Sequence, residues 1–385
     1  MPVNCIGLDY ATGSAVDLRF SAAIESADPL ISPPPGLPWL APGFIDLQVN
    51  GFGGVDFNDP TAPLEEIGRA IRGLFATGVT RFFPTVITGS PEDMLGAIRN
   101  LIKAKESLPE GAAIEGLHVE GPYISPEDGA RGAHPARWTR PPDWDEYRRW
   151  QDAAQGHIRL ITLSPEWPEA PAFIEAVVRE GVVAAIGHTK AGAAEIAAAV
   201  SAGATLSTHL GNGAHAMLPR HPNYIWDQLA EDRLAATFIV DGVHLPASFL
   251  KVAFRAKGLE KCAVITDAVM PAGCPPGPYK LGEVDVMLGE DGVVRLASGK
   301  TLAGSALTME RAVANLVRLA RLELRDAVTL ATRNPARIGR IEHRQRGLAA
   351  GERGDVVQFR FRKDPPAIVI EKVWLSGREV YSALN

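Results

Sequence analysis

Short apolar runs, most of them followed by an amphipathic or alanine-rich stretch, recur along the chain from residue 39 onwards. The runs have the length of buried strands, and the stretches between them, such as residues 191–202, have the composition of helices. We predict eight strands, over residues 43–49, 81–87, 114–119, 158–163, 182–187, 205–208, 236–240 and 262–266. Strands that alternate with helices form a parallel sheet, and eight such units close into a barrel. The pattern therefore predicts an α/β protein with a TIM-like (β/α)8 barrel, followed by helices over residues 309–322 and 326–331.

A different pattern occurs at the two ends of the chain. The first forty residues contain short β-like pieces and end in a proline-rich linker that can form neither a helix nor a ladder. The C-terminal segments 354–362 and 367–381 again alternate between apolar and polar positions, as strands do. We therefore predict a small β-sandwich domain made from residues 1–40 and 346–385, beside a catalytic barrel of residues 41–345.

The composition narrows the classes of partner. The formal net charge of −6 leaves no basic footprint for nucleic acid or anionic lipid, and no apolar run approaches the roughly 18 residues that span a bilayer. Cys5, Cys262 and Cys274 are spaced neither like a disulfide framework nor like a zinc finger. The N-terminal residues show no signal-peptide pattern. We therefore expect a cytoplasmic protein that acts on a small molecule, without nucleic acid or membrane partners.

Three of the predicted strands lead into residues that can bind a metal ion, namely Glu120, His188 and His209. Because the C-terminal ends of barrel strands meet at one rim, these side chains are expected to converge. One glutamate and two histidines can hold a zinc-like ion. Each residue alone could be a hydrogen-bonded polar group at a strand end, but three strand ends that agree in chemistry favour a metal site.

Asp267, directly after the eighth predicted strand, is the candidate for proton transfer. It could cap the following helix, or it could act as general base and then general acid in a metal-dependent hydrolysis. His244 could be a surface or supporting histidine, or a neutral donor to a substrate carbonyl or hydroxyl. Gln48 and Asn50 end the first strand, where many metal barrels carry two histidines that hold a second ion. Amides are poor zinc ligands, so we interpret these two residues as vestigial second-metal positions. We predict one divalent ion per subunit, with zinc favoured over Fe2+ or Mn2+.

The chain resembles the N-acetylglucosamine-6-phosphate deacetylases of the amidohydrolase superfamily along nearly its whole length. The matching blocks are residues 42–51, 118–122, 187–189, 208–210, 241–244, 266–268 and 302–308. The resemblance implies the barrel with a β-sandwich and a homodimer. It also implies Glu120, His188 and His209 as metal ligands and Asp267 as the acid and base. The reaction it implies is hydrolysis of an N-acetyl amide on an amino sugar 6-phosphate.

The same resemblance implies a set of substrate-binding residues: Ala133, His134, Asn212, Gly213, Arg220, His244, Ala303 and Gly304. The planar fork of Arg220 suits a phosphate group. The loop after His209 departs from the family pattern, with His215, His221 and Trp226 at unusual places. An unphosphorylated or differently substituted amino sugar therefore stays open as the substrate.

Other function classes fit less well. Cyclic amidases and deaminases on this scaffold usually carry a His-x-His pair on the first strand and often a bridging lysine, and neither is present here. A barrel that had become a binding protein would be expected to lose a metal ligand or the proton-transfer carboxylate. Residues 298–301 match only the end of a phosphate loop, because Val294 stands where the first glycine is required. The sequence therefore favours a hydrolase.

Overall fold

The computed structural model describes residues 2–281, 284–297 and 302–383. Its strands are β1 (Val3–Asp9), β2 (Ala15–Phe20), β3 (Ile24–Pro29), β4 (Trp39–Pro42), β5 (Phe44–Val49), β6 (Gly51–Phe52), β7 (Val55–Asp56), β8 (Val79–Ile87), β9 (Leu117–Glu120), β10 (Ile158–Leu163), β11 (Val183–Ile186), β12 (Leu206–Ser207), β13 (Ala235–Ile239), β14 (Cys262–Ile265), β15 (Gly277–Leu281), β16 (Val284–Leu288), β17 (Val294–Leu296), β18 (Val356–Lys363), β19 (Pro366–Leu375) and β20 (Arg378–Ser382). Its α-helices are α1 (Leu64–Ala76), α2 (Pro91–Ser107), α3 (Trp144–Ala153), α4 (Ala170–Arg179), α5 (Ala193–Ser201), α6 (Tyr224–Ala230), α7 (Ala247–Lys257), α8 (Met309–Asn315), α9 (Leu324–Leu330) and α10 (Arg333–Ile338).

Eight parallel strands, in the order β5, β8, β9, β10, β11, β12, β13 and β14, form the barrel sheet. The sheet closes where Val49 pairs in parallel with Ala268 and the N–H of Asn50 donates to the Ala268 carbonyl over 2.8 Å. Every residue of β5 is buried, as expected for a strand covered by side chains inside the barrel and by helices outside. All eight predicted strands are present. The one predicted over 114–119 begins only at Leu117.

The helices agree with the pattern over most of their length. Helix α5 lies inside the predicted segment 191–202, and α8 begins at Met309 as predicted. The predicted helix 309–322 is shorter than expected, because α8 passes into a π-helical turn over Leu316–Ala320. That turn ends at Arg321, whose φ of 62° is left-handed and stops the helix.

The two chain ends join in one hydrogen-bonded sheet of seven strands, in the order β20, β19, β18, β4, β1, β2 and β3. Four strand spacings of about 4.8 Å separate β2 from β19, which would put them roughly 19 Å apart in a flat sheet. The rings of Phe20 on β2 and Trp374 on β19 nevertheless lie edge to face with 5.5 Å between their centroids. The sheet therefore curls so that its two halves face each other over a small core, as in the predicted sandwich.

A buried ion cluster ties this sheet to the barrel. The Asp355 carboxylate, just before β18, accepts hydrogen bonds from Arg81 on β8 and from Arg344. Asp355 is fully buried, and the Arg344 side chain is 1% exposed. The seven-stranded sheet and the barrel are thus joined by polar interactions between buried side chains.

One region was not anticipated from the sequence. Strands β15, β16 and β17 form a three-stranded antiparallel sheet inserted after the last barrel strand. The phosphate-loop fragment at 298–301 lies outside the described residues. Within the described part of the chain, no helix has both the length and the apolar character to cross a membrane.

Candidate metal and catalytic site

The candidate residues project from one rim of the barrel. Glu120 is the last residue of β9, and His188, His209 and Asp267 each lie two residues past the end of their strands. These last three residues have left-handed backbones, with φ of 48°, 32° and 50°. Positive φ is uncommon outside glycine and persists only where the surrounding structure imposes it, often at functional sites. Three separate strand ends therefore share one strained geometry.

Two histidines approach the Glu120 carboxylate. Its Oε1 atom lies 2.8 Å from Nε2 of His209 and 3.4 Å from Nε2 of His188. The two imidazoles pack edge to face with centroids 4.8 Å apart, and all three side chains are under 9% exposed. Nδ1 of His188 donates to the Ala130 carbonyl over 3.1 Å, which turns the lone pair of Nε2 towards Glu120. The predicted ligand set is thus brought together.

His134 joins the same cluster. Its Nε2 lies 3.8 Å from Oε2 of Glu120, its ring packs against His188 at 4.4 Å, and its Nδ1 lies 2.8 Å from Oγ1 of Thr88. The ligand atoms of Glu120, His134 and His188 all lie within 4.8 Å of one another. The sequence had indicated His134 only as a substrate-binding residue, whereas its position also fits a metal ligand.

The chemistry of this cluster suits a cation. Burial opposes ionisation of Glu120, but the adjacent imidazoles of His188 and His209 hold its pKa well below the ordinary value, so it is an anion. Burial lowers the pKa of His134 to about 3, which leaves a neutral imidazole with a free lone pair. Nδ1 of His209 is buried without a partner among the described residues. A carboxylate and several imidazole nitrogens around one point are ligands that zinc and related divalent ions prefer.

Asp267 lies beside this cluster, held by the two amides of the first barrel strand. Nε2 of Gln48 donates to Oε1 of Glu120 over 2.9 Å and to Oδ1 of Asp267 over 3.1 Å. Nδ2 of Asn50 donates to the same Oδ1 over 2.7 Å. Burial and the negative charge of Glu120 raise the pKa of Asp267 to about 6. A carboxyl group with such a pKa can both take up and release a proton near neutral pH.

Two glycines flank the His188 imidazole. A Cβ on Gly213, whose φ is +57°, would lie 2.6 Å from Nδ1 of His188, and one on Gly132 would lie 3.1 Å from its Cε1. Asn212 donates its backbone N–H to the His209 carbonyl over 2.9 Å. The predicted residues Asn212 and Gly213 therefore contact the histidines of the cluster directly.

The predicted residues Ala303 and Gly304 lie next to Asp267. Ser305 pairs in parallel with Ala268, and a Cβ on Gly304, at φ +88°, would lie 2.4 Å from Cγ1 of Val269. The close approach explains why this position holds glycine. The segment thus borders Asp267.

His244 is held by a carboxylate. Its Nδ1 lies 2.6 Å from Oδ2 of Asp241, which also accepts the backbone N–H of His244 through Oδ1. Burial opposes ionisation of Asp241, but the His244 hydrogen bond keeps its pKa below the ordinary value. Because Nδ1–H is donated to Asp241, a neutral His244 offers Nε2 as an acceptor and donates there only when protonated. The sequence analysis expected a neutral His244 that donates to the substrate. With Nδ1–H held by Asp241, such a bond from Nε2 requires the protonated imidazole.

Two predicted substrate residues lie on exposed loops. Arg220 is exposed, and its guanidinium makes no hydrogen bond or ion pair to the part of the chain that the structure describes. Ala133 is also exposed, next to the buried His134. The structure therefore does not bring these two side chains into the cluster.

The unusual loop after His209 is tied to its neighbours through His215. Nδ1 of His215 lies 2.9 Å from the Tyr224 hydroxyl, and its Nε2 lies 3.1 Å from Oε1 of Glu127. Glu127 also accepts from Nζ of Lys190 over 2.6 Å. Loops that follow β9, β11 and β12 are thereby linked around the site.

Two buried polar residues below the rim were not singled out from the sequence. Asp46 lies on β5 on the same face as Gln48, and burial raises its pKa to about 7. His118 lies on β9 on the same face as Glu120, and its Nε2 contacts Oγ1 of Thr162 at 2.7 Å. The period-two alternation of strands was the signal that could have indicated both.

Known proteins are similar to this chain over most of its length. Residues 39–380 match the amidohydrolase family. The chain is 34% identical to the N-acetylglucosamine-6-phosphate deacetylase of Homo sapiens, over 89% of this chain and 84% of that protein. It is 33% identical to the Bacillus subtilis (strain 168) protein of the same name, over 83% of this chain and 80% of that protein. A mutant N-acetyl-D-glucosamine-6-phosphate deacetylase from Mycobacterium smegmatis, in complex with N-acetyl-D-glucosamine-6-phosphate, superposes with a TM-score of 0.86 at 32% identity and covers 96% of this chain and 95% of that chain.

Proposed function

The chain belongs to the amidohydrolase family, and we propose that it hydrolyses N-acetylglucosamine 6-phosphate to glucosamine 6-phosphate and acetate. One observation carries the proposal: the Glu120, His188 and His209 cluster lies beside a buried carboxylate, Asp267, at the rim where barrel enzymes react. The relatives that share the fold at about a third identity carry the name of this activity.

Glu120, His188 and His209 are proposed to hold one divalent ion per subunit, with zinc favoured over Fe2+ or Mn2+. When bound, such an ion polarises a substrate carbonyl and lowers the pKa of water. The neutral amides of Gln48 and Asn50 are weak ligands for a second ion, and both already donate to carboxylates. These contacts support a site for a single ion.

Asp267 moves the proton in the proposed reaction. Water adds to the carbonyl carbon of the N-acetyl group and gives its proton to the Asp267 carboxylate. The C–N bond then breaks, Asp267 returns the proton to the leaving nitrogen, and acetic acid leaves with the amine; its proton passes to the amine, which gives acetate and the ammonium form. The raised pKa of Asp267, about 6, suits both transfers, and Gln48 and Asn50 hold its carboxylate in place.

The substrate is proposed to lie between the cluster and the surrounding loops. We propose that His244, Asn212, Gly213, Ala303 and Gly304 border this space, and the contacts of Asn212, Gly213 and Gly304 described above support this. The phosphate is proposed to pair with Arg220, whose guanidinium has no ion pair among the described residues and is available to a ligand. The remaining proposed contacts come from Ala133 and His134.

The assembly and compartment are part of the same proposal. We propose a homodimer, which the family resemblance implies and which the exposed apolar side chains of Met217 (90%) and Trp226 (50%) support. Light scattering that gives the mass of one chain would refute it. The free thiols of Cys5, Cys262 and Cys274 support a reducing cytoplasm.

The decisive assay is acetate release from a panel of N-acetylhexosamines, each with and without a 6-phosphate. We expect N-acetylglucosamine 6-phosphate to be hydrolysed with the highest kcat/KM, and a chelator to abolish the activity. Preference for an unphosphorylated sugar would refute the phosphate assignment while leaving the deacetylase chemistry in place. Absence of acetate release from every member, with metal bound, would refute the function.

A further inference from the structure

The first and last barrel strands are joined below the site by a side chain rather than by a regular ladder. Strand β14 ends at Ile265, and the backbone contacts with β5 lie beyond it, from the Asp267 N–H to the Gln48 carbonyl and between Ala268 and Val49. Asp46, which is fully buried on β5, lies in the gap between them. Its carboxylate therefore bridges the two strands through Thr266, just below the backbone contacts that close the barrel.

Asp46 binds the residue that precedes Asp267. Its Oδ2 accepts from the Thr266 hydroxyl over 2.5 Å, and its Oδ1 accepts from the Thr266 backbone N–H over 3.2 Å. The same hydroxyl accepts the N–H of Ala268 over 3.2 Å, so both neighbours of Asp267 are tied to one group. Asp267 itself has a left-handed φ of 50° and donates its N–H to the Gln48 carbonyl over 3.1 Å.

Asp46 also binds the backbone of Gln48. The N–H of Gln48 donates to Oδ1 of Asp46 over 3.3 Å, and the Gln48 amide then donates to both Glu120 and Asp267. One buried carboxylate therefore fixes the strand that carries the Asp267 side chain and the strand that carries its hydrogen-bond donor. A catalytic group displaced by about 1 Å can lose about 100-fold in rate.

We propose that Asp46 is a positioning residue for Asp267, acting through the Thr266 hydroxyl and the Gln48 backbone. This role rests on the proposed deacetylase function, in which Asp267 transfers the proton. The hydrogen bonds of Asp46 described above go to Thr266 and Gln48, and none goes to Glu120, His188 or His209. Its effect is to hold a strained catalytic backbone in the one orientation that places the carboxylate beside Glu120.

Three variants of the full-length, metal-loaded protein test the proposal. Thr266→Val keeps the side-chain shape but removes the hydroxyl, and Thr266→Ser keeps the hydroxyl but removes a methyl group. Thr332→Val is the matched control, because Thr332 is also buried and its hydroxyl donates to the Val328 carbonyl of a helix. The readouts are kcat and KM for acetate release and the metal content per chain.

We expect Thr266→Val to lower kcat by about 10- to 100-fold with KM within about twofold and metal content unchanged. Thr266→Ser should recover most of kcat, and Thr332→Val should resemble the wild type. Asp46→Asn keeps an acceptor for the backbone N–H groups of Gln48 and Thr266, so its kcat should fall less than that of Asp46→Leu.

Several results would overturn the role of Asp46. One is a kcat for Thr266→Val within twofold of the wild-type value. Another is a loss of kcat in Thr266→Ser as large as that in Thr266→Val. A third is a change of Thr266→Val in KM or in metal content rather than in kcat. An equal loss in Thr332→Val would show that any buried threonine matters in this way, and would also overturn it. The wild-type assay separates the two claims: normal wild-type acetate release with unaffected Thr266→Val refutes the positioning role alone, whereas a wild type without activity refutes the proposed function and this role with it.

Discussion

Replacement of Asp355 by asparagine is expected to destabilise the protein strongly, because this carboxylate neutralises two buried guanidinium groups. It accepts from Nε of Arg81 over 2.8 Å, from a terminal nitrogen of Arg81 over 3.1 Å and from Arg344 over 2.6 Å. The backbone N–H of Ser376 adds a fourth hydrogen bond over 2.8 Å. Asparagine keeps the shape but removes the charge.

The expected magnitude follows from burial. Breaking a buried ion pair by removing one partner costs about 3–5 kcal/mol, because the other charge stays buried without compensation. Burial alone would raise the pKa of Asp355, but Arg344 and Arg81 lower it from 3.8 to about 2. That difference corresponds to about 2–3 kcal/mol of stability at neutral pH. Because the folded-state pKa is lowered, this contribution is complete above about pH 4 and is lost as the pH falls towards 2.

The assay is urea unfolding followed by circular dichroism, at equal metal concentration for each variant. We expect Asp355→Asn to lower the free energy of unfolding by about 2–5 kcal/mol at pH 7. Between pH 4 and 2, the stability of this variant should fall less steeply than that of the wild type, because the titrating carboxyl group is gone. Glu371→Gln is the matched control on the same sheet, since its partner Arg360 is half exposed and such pairs contribute about 1 kcal/mol or less. A loss for Asp355→Asn no larger than for Glu371→Gln, with an unchanged pH slope, would refute this reasoning.

Three further predictions concern the site. Asp267→Asn should retain metal but lose at least about 100-fold in kcat, because an amide cannot take up the proton; a tenth of wild-type kcat would place the base elsewhere. Arg220→Ala should raise KM for the 6-phosphate about 10- to 100-fold and leave the free sugar unaffected, with Arg220→Lys recovering part; equal effects on both sugars would argue against a phosphate contact. Metal analysis should find close to one equivalent per chain, lost in a His188→Ala, His209→Ala double variant, and two full equivalents in the wild type would contradict the single-ion site.

The barrel could be predicted from the sequence because its strands are buried on both faces. Runs such as Phe44–Val49 and Cys262–Ile265 are almost wholly buried, and they stand out as apolar segments between helices. Strand β16 lacks this signal, because Val284 and Met287 are exposed and only Val286 and Leu288 are buried, and in β17 only Val294 is buried. A short, half-exposed meander is hard to distinguish from a loop by pattern alone.

The sequence predicts which residues come together at the site but not their geometry. Glu120, His188 and His209 follow from strand-end positions, which local pattern reveals. The left-handed backbones of His188 and His209 depend on tertiary contacts and leave no local signature. The approach of His134 to Glu120 depends on the path of a long loop, which periodicity does not encode.

The interleaving of the chain ends has a consequence for synthesis on the ribosome. Strand β4 pairs with β1 on one edge and with β18 on the other, yet almost the whole barrel is translated between β4 and β18. A nascent chain therefore carries an unpaired edge of β4 throughout elongation, and such edges recruit other strands. Because β4 leads directly into β5, the strand at which the barrel closes, the enzyme reaches its native form only after the last strands have left the exit tunnel.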